Sequence, residues 1–408
     1  MTDSALDFPR LRVRVVSDQL RQPVDLLRLR THAPLSAWVS DGDVLVGWGT
    51  AWRTQIAGAD QEARASGLWQ ALVASAVVEG EDPVAAPLTF GSFGFQPHTP
   101  GVLIVPEVCY VARGGRAWIV TQWLEGEGEP RPGLPEARGT WPGPGHAHVG
   151  EGAHSPSEYL GILTDLIGRL RAGQARKVVL ARDVVVDTEK PVAAGWLAAR
   201  LAQAYPTCWT YAVDSLVGAT PEMLAEVREG RLFTRVLAGT AGVGEGDDLM
   251  RSGKDRREHT LALESVRRAL EPLCADLAVP EQPDILTLPN VTHLASTVTG
   301  SARVTSLQAA AALHPTAAVC GTPTADAARM IGDLEGMDRG RYAGPVGWMD
   351  ARGNGQWGIA LRCGMIEGAD ARRVRVIAGG GIMPDSDPRR ELAETEAKML
   401  PVLNALGA

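Results

Sequence analysis

Two short stretches carry acids at a spacing that could do chemistry. In KDRREH, Asp255 and Glu258 stand three residues apart, so a helix would put both on one face. In RRELAETEAKML, Glu391 and Glu394 repeat that spacing, and Lys398 follows four residues on along the same face. If the two faces met, four carboxylates would repel unless a cation lay between them. Oxygen-only ligands suit Mg²⁺, which keeps waters and takes few protein carboxylates. The same spacing also describes two solvated helix surfaces, with Glu394 and Lys398 forming a weak helical ion pair.

Lys177 opens the apolar run RKVVLARDVVV. A cation there is either a snorkelling edge residue or an interior charge. An ordinary lysine titrates near ~10.4 and is no base at neutral pH; burial or a neighbouring cation can make it one. Glu222 sits in LVGATPEML, where Pro221 fixes the backbone just ahead of it. In apolar surroundings its carboxyl would hold a proton and could donate it; the alternative is a turn bearing a surface acid. Gly379, Gly380 and Gly381 in VIAGGGIMPDSDP are expected to follow a strand as a turn whose N–H groups can approach an anion. Neither a Rossmann nor a Walker pattern is completed, so nucleotide binding is not expected.

These groups need elements to hold them. Residues 1–124 read as strands (LRVRVV, DVLVGWG), a buried helix (GLWQALVASAVVEG) and a Gly- and aromatic-punctuated segment, FGSFGFQP, read as packing. Residues 125–154 are Gly- and Pro-rich and read as a loop or linker. From 155 to 408 helices and hairpins alternate. Ser155, Pro156 and Glu158 form a helix-start signature, and EMLAEVREGRLFTRVLAGT reads as a hairpin turning at Glu229-Gly230. A long helix is expected from Asp255 to Leu277 with a kink at Pro272, and a last helix after Asp387-Pro388. Long helices among antiparallel hairpins indicate an α+β fold.

Composition is that of a globular chain: 408 residues, 45% hydrophobic, 22% charged, net charge −8. With no long basic run, no nucleic-acid partner is expected. A small anion would have to be met by individual cations in a local pocket. The five cysteines are scattered without a CxxC pair and are expected to be reduced, buried side chains. No leader-like segment or membrane-length apolar run is present, so a cytoplasmic protein without a membrane partner is expected.

In their order, RKVVLAR, VGATPE, LAGTAGVG, KDRREH, NVTHLAS, LHPTAAVCGTP, RYAGPVGW, ALRCG, AGGGIMPDSDP and ELAETEAKM resemble the chorismate-binding enzymes over about Ser155 to Leu406. That family comprises isochorismate synthases, salicylate synthases and the large subunits of anthranilate and aminodeoxychorismate synthases. The resemblance implies one fold, a large antiparallel β-sandwich enclosing the site with helices outside, and Mg²⁺ as cofactor. It implies Glu258 and Glu394 as principal metal ligands, with Asp255 and Glu391 as supporting acids. Arg362 and Tyr342 match residues that hold the enolpyruvyl carboxylate. Gly239, Thr240, His293, Gly379, Gly381 and Lys398 match other substrate-pocket positions. Asp255 stands where relatives often carry glutamate, and its shorter side chain is expected to reach the metal through water. Lys177 matches the base of members that use water and Glu222 the acid, whereas ammonia-using members commonly lack the lysine. Ala318 and Thr324 replace the threonine and lysine typical of salicylate and anthranilate synthases. The expectation is an isochorismate synthase feeding menaquinone or siderophore formation, a monomer or homodimer, needing no glutaminase subunit. A salicylate synthase is the alternative.

Overall fold

The structure, a computed structural model, describes residues 9–131, 133–287 and 291–408. Of the segments singled out above, the start MTDSALDF, Pro132 and Asn290 of NVTHLAS lie outside the described residues.

β-Branched and aromatic runs form two large sheets. Among the described residues one sheet has 13 strands and the other 9. The larger runs through Lys177–Thr188, Arg373–Ile382, Cys363–Glu367, Leu216–Thr220, Trp209–Val213, Leu35–Val39, Asp43–Trp48, Val108–Arg113, Arg116–Leu124 and Leu11–Asp18. The smaller is centred on Thr292–Ser301, Arg231–Ala241, Met223–Arg228, Gly355–Ile359, Pro345–Asp350 and Leu88–Ser92. Neighbouring strands are antiparallel, except that Leu11–Asp18 pairs in parallel with Val77–Glu79. Strands from the first 124 residues continue both sheets. Leu35–Val39 pairs with Trp209–Val213, and Leu88–Ser92 with Pro345–Asp350.

The sheets pack face to face over a shared apolar core. Trp38 of the larger sheet is fully buried and donates from its indole to Gln356 of the smaller at 2.8 Å. A Cβ on Gly358 would stand 2.8 Å from Thr220 Cγ2 and 3.2 Å from the Trp38 ring, so the sheets close over a position without a side chain. Helices cover the outer faces. Pro388–Leu406 packs against Arg373–Ile382 and against Pro156–Arg171, while Gly253–Leu270 packs on Arg231–Ala241.

Local signals act as their chemistry dictates. Ser155 and Glu158 form a reciprocal capping box. The hairpin turns at Glu229 and Gly230, both with positive φ (50° and 75°), the conformation that matches strand twist. Three expectations need correcting. The long helix runs Gly253–Leu270 and stops before Pro272 instead of kinking there, since proline can neither donate nor fit inside the next turn. Gly379–Gly381 lie inside a strand rather than in a turn after it, because Arg373–Ile382 pairs with Lys177–Thr188 along its length. The Gly/Pro-rich stretch 125–154 ends in a strand, Ala147–Glu151, laid on the edge of the larger sheet against Val184–Thr188.

Candidate active site

The strand Lys177–Thr188 starts beside the glycines of Arg373–Ile382, with Val179 opposite Gly381 and Ala181 opposite Gly379. The Lys177 side chain is 0% exposed, which eliminates the snorkelling reading, and its Nζ lies 2.9 Å from Glu258 Oε1. That contact is an ion pair without hydrogen-bond alignment; among the described residues the ammonium has no aligned acceptor.

Glu222 follows Pro221 and precedes the strand Met223–Arg228, and it is 4% exposed. Among the described residues no cation lies within ion-pair distance of it. Burial pushes its carboxyl up to about 8, and a bond from the Leu237 backbone and the charges of Lys177, Lys398 and Arg362 only partly oppose this. At neutral pH it is therefore a carboxylic acid with a proton to give.

Glu222, Gly239, Thr240, Glu258, His293, Tyr342, Arg362, Gly379, Gly381, Glu394 and Lys398 line one pocket. Its free space, open mouth included, is about 610 Å³. Lys177, Asp255 and Glu391 stand just behind its lining. A Cβ on Gly381 would collide with Glu258 Oε1 and come within 2.8 Å of Lys177 Cε. A Cβ on Gly239 would approach the Asp255 side chain at 3.1 Å. A larger cleft, about 1610 Å³ with its open mouth, between Arg176, Arg256 and Met383, contains none of the acid–base candidates.

The two acid-bearing helices approach each other, since Lys254 of one pairs with Glu391 of the other. Above Gly380, where a Cβ would sit, Glu391 Oε2 is 3.3 Å and Glu394 Oε1 3.7 Å away, and Glu258 lies over the next residue. Lysines answer them: Lys177 for Glu258, Lys254 for Glu391 at 3.0 Å, and Lys398 for Glu394. Burial pushes Glu258 upward, but Lys177 and then Lys254 and Lys398 outweigh it and leave the carboxyl below its ordinary range. Glu391 is raised, by burial first and by the neighbouring Glu394 second. Asp255 is raised by burial; its carboxylate accepts from the Ser252 hydroxyl, and its N–H donates back to that hydroxyl at the helix start. Glu391 and Glu394 stand beside Gly380 and Glu258 beside Gly381, oxygen donors of the kind that suit a hard divalent cation which keeps much of its water. They do not form a closed cage; no ready group of three metal-ligating side chains occurs among the described residues.

The opposite wall carries a polarised relay. Arg362 Nη2 lies 3.3 Å from His293 Nε2, and His293 Nδ1 is 3.0 Å from Thr240 Oγ1. A guanidinium can only donate, so Nε2 must accept and the ring proton sits on Nδ1, assigned here from its partners. The ring N–H then lies between Thr240 Oγ1 and the Gly239 backbone, which also bonds this imidazole. Burial, then the charges of Arg362 and Lys398, hold His293 well below its usual range and keep it neutral. Two pocket residues other than glycine hold left-handed backbone, Ala343 at φ 64° and Arg362 at φ 49°. Such conformations persist only where surrounding structure fixes them.

The glycine strand contributes backbone groups. Val179 N–H bonds Cys320 O, Val179 O accepts from Arg339, and Ala181 N–H bonds Glu335. These residues thus direct their polar groups away from the glycines. In an antiparallel ladder Leu180 and Gly380 then exchange the bonds, and the amide groups of Gly379 and Gly381 face the other way. Consistently, Gly379 O accepts from Lys398 Nζ at 2.9 Å. On that side the ladder to Cys363–Glu367 stops at Ile377, which opens the sheet at the pocket.

Sequence reasoning did not single out Lys254, although it adjoins Asp255, nor the wall residues Val179, Leu237 and Val319. Apolar wall residues carry no sequence signal distinct from core. Ala318 lines the pocket, whereas Thr324 starts the helix Thr324–Leu334 outside the lining.

A family profile described as "Chorismate binding enzyme" matches residues 142–407. A Mycobacterium tuberculosis protein provisionally named isochorismate synthase MenF is 38% identical over 79% of this chain and 87% of its own length. The "Isochorismate synthase DhbC" of Bacillus subtilis is 34% identical over 64% of this chain and 71% of its own. The solved structure of MenF, the menaquinone-specific isochorismate synthase of Escherichia coli, superposes with a TM-score of 0.80 over 98% of this chain and 95% of that one, at 24% identity, which speaks for the fold. The chain belongs to the chorismate-binding enzyme family.

Proposed function

We propose that this enzyme is a Mg²⁺-dependent isochorismate synthase, a hydroxymutase that interconverts chorismate and isochorismate. The observation that carries the reading is a buried, protonated acid, Glu222, in the lining of a pocket walled by Arg362 and Lys398, with a fully buried lysine, Lys177, just behind that lining. Lys177, which must first lose its own proton to serve as base, takes a proton from water as the water oxygen bonds to ring carbon 2. The ring double bonds shift, the bond from carbon 4 to its hydroxyl breaks, and Glu222 gives that hydroxyl its proton. One water enters and one leaves, so the product is an isomer. Arg362, held by His293 and near Tyr342, binds the enolpyruvyl carboxylate, the bidentate recognition for which a guanidinium is suited. Thr240, Gly239, Gly379 and Gly381 present hydrogen-bonding groups to the rest of the substrate.

Glu258 and Glu394 are the proposed Mg²⁺ ligands, supported by Glu391 and, through water, Asp255. Bound there, the ion would neutralise the ring carboxylate and stabilise charge as the double bonds move. Lys177 supports water rather than ammonia as nucleophile, so no obligatory glutaminase partner is included in the proposal, and a monomer or homodimer would suffice. Ala318, which offers no hydroxyl to the ring, supports release of isochorismate without pyruvate elimination. A cytoplasmic location is proposed from the five unpaired cysteines; no helix among the described residues is long and apolar enough to cross a membrane.

The test is to incubate the purified enzyme with chorismate and Mg²⁺, with and without ammonium, and identify products by chromatography. Isochorismate formed independently of ammonium is expected. Salicylate with pyruvate, or an aminated product, as the main species would overturn the reading.

A further inference from the structure

Beneath the pocket lies a second set of buried charges that the proposed chemistry does not use. Arg339 is 0% and Glu335 1% exposed at the side chain. Arg339 Nε donates to Glu335 Oε2 at 2.8 Å, and Nη2 donates to Oε1. The same guanidinium donates from Nη1 to Val319 O at 2.9 Å and from Nη2 to Val179 O at 2.7 Å. Glu335 Oε1 also accepts from Ala181 N at 2.7 Å. Phe95, from the FGSFGFQP segment, lays its ring 4.1 Å from the Arg339 guanidinium carbon, and Tyr342 stands at 6.0 Å.

The connections are specific to the pocket. Val179 and Val319 both line it. Val179 is two residues after Lys177, and Val319 follows Ala318. One planar fork therefore bridges the strand that bears the base and the wall that faces the substrate ring. A plain structural ion pair would need only the carboxylate. Here two of the guanidinium's donors go to main-chain carbonyls of two adjacent segments of the wall, Val179 and Val319, which Val179 N–H also joins through Cys320 O, and a lysine ammonium cannot reproduce this planar fork.

We propose that Arg339, held by Glu335 and covered by Phe95, is a positioning residue that sets the distance between Lys177 and the Ala318–Val319 wall. Through Phe95 the amino-terminal third of the chain contributes to turnover without touching substrate. The inference rests on the isochorismate synthase reading. It leaves Arg362 and Lys398 undisturbed, so the expected signature is a loss in kcat with KM for chorismate nearly unchanged.

The test measures wild type, Phe95→Leu, Arg339→Lys, Arg339→Met, and Arg339→Met combined with Glu335→Gln, in one chorismate assay, with the thermal midpoint of each. The Gln retains an acceptor for Ala181 N–H and the double change leaves no unpaired charge. The double variant and Arg339→Lys are expected to lose about 10-fold to 100-fold in kcat, the scale of an ångström-level misplacement. KM is expected to stay within about threefold, since ground-state binding is spared. Arg339→Lys should keep more of the thermal midpoint than the isolated change Arg339→Met yet recover none of its kcat. Phe95→Leu, which keeps the fold most surely, should show a smaller loss with the same split. Wild-type kcat in Arg339→Lys or Phe95→Leu, or activity losses that merely follow the unfolded fraction, would overturn the inference. If wild type itself forms no isochorismate, the functional reading fails instead, and the two failures are distinguishable. Should the Arg339 variants not fold, Phe95→Leu alone decides.

Discussion

Glu222 and Glu335 are both buried, and their surroundings are opposite. Glu335 has a bidentate arginine, a backbone donor and an aromatic cover over its partner. Glu222 has no ion-pair partner among the described residues and keeps its proton up to about pH 8. A fully answered charge fixes geometry; an unanswered one is held ready to change its protonation state. The same contrast separates Arg339, whose donors are spent on protein atoms, from Lys177, whose ammonium faces Glu258 without alignment. The molecule thus sets a rigid, neutralised layer directly beneath a layer of imperfectly satisfied groups.

The largest expected effect breaks the reactive layer. Lys177→Ala should lower kcat by ~10²–10⁴-fold, the usual worth of a general base, while Mg²⁺-dependent chorismate binding persists. Full activity in that variant would remove the base assignment.

The next effect falls on the rigid layer and is read as stability. Arg339→Met alone leaves Glu335 buried without its partner, and chemical denaturation should show a loss of about 3–5 kcal/mol. A change below about 1 kcal/mol would place the pair among groups that water still reaches.

A subtler effect concerns the converging acids. Glu258→Ala or Glu394→Ala should raise the Mg²⁺ concentration for half-maximal rate about 10-fold or more. An unchanged metal requirement in both would show that the helix faces do not share an ion.

The smallest effect is a pH dependence. Glu222 must be protonated to act, so kcat/KM should fall as pH rises through about 8. A profile flat to pH 9.5 would contradict the acid assignment.

Much of the reactive layer was legible because its residue types recur at helical spacing or break an apolar pattern. Asp255 and Glu258, Glu391 and Glu394, and a lysine opening KVVLAR all stand out in that way. The sequence alone could not decide whether those helix faces meet, since spacing fixes a face but not what it faces. The rigid layer was not legible. Glu335 and Arg339 stand four apart, as countless surface pairs do, and only the fold puts them at 1% and 0% exposure. Phe95 read as packing, because an aromatic in a glycine-rich loop carries no mark of the cation beneath it. The glycines were misread as a turn. Their role depends on strand partners nearly 200 residues away in sequence, such as Leu180 opposite Gly380, a long-range pairing that local pattern does not encode. The α+β class followed from alternating hairpins and helices and the enclosing sandwich from the family resemblance, whereas the end of the helix at Leu270 depended on how Pro272 was resolved, by stopping rather than kinking.

An uncharged copy of Glu222 tests the central contrast most directly. In the folded protein this carboxyl stays neutral to about pH 8, whereas unfolded it ionises near the ordinary glutamate value. The unfolded state therefore binds fewer protons between those values, and stability falls as pH rises through that window. Glu222→Gln removes that penalty together with the acid. Measured at pH 7.5, it should unfold at a higher temperature than wild type while turnover of chorismate drops by ~10²-fold or more. Retained turnover, or a thermal midpoint that falls along with activity, would mean that the buried acid serves the fold and not the reaction.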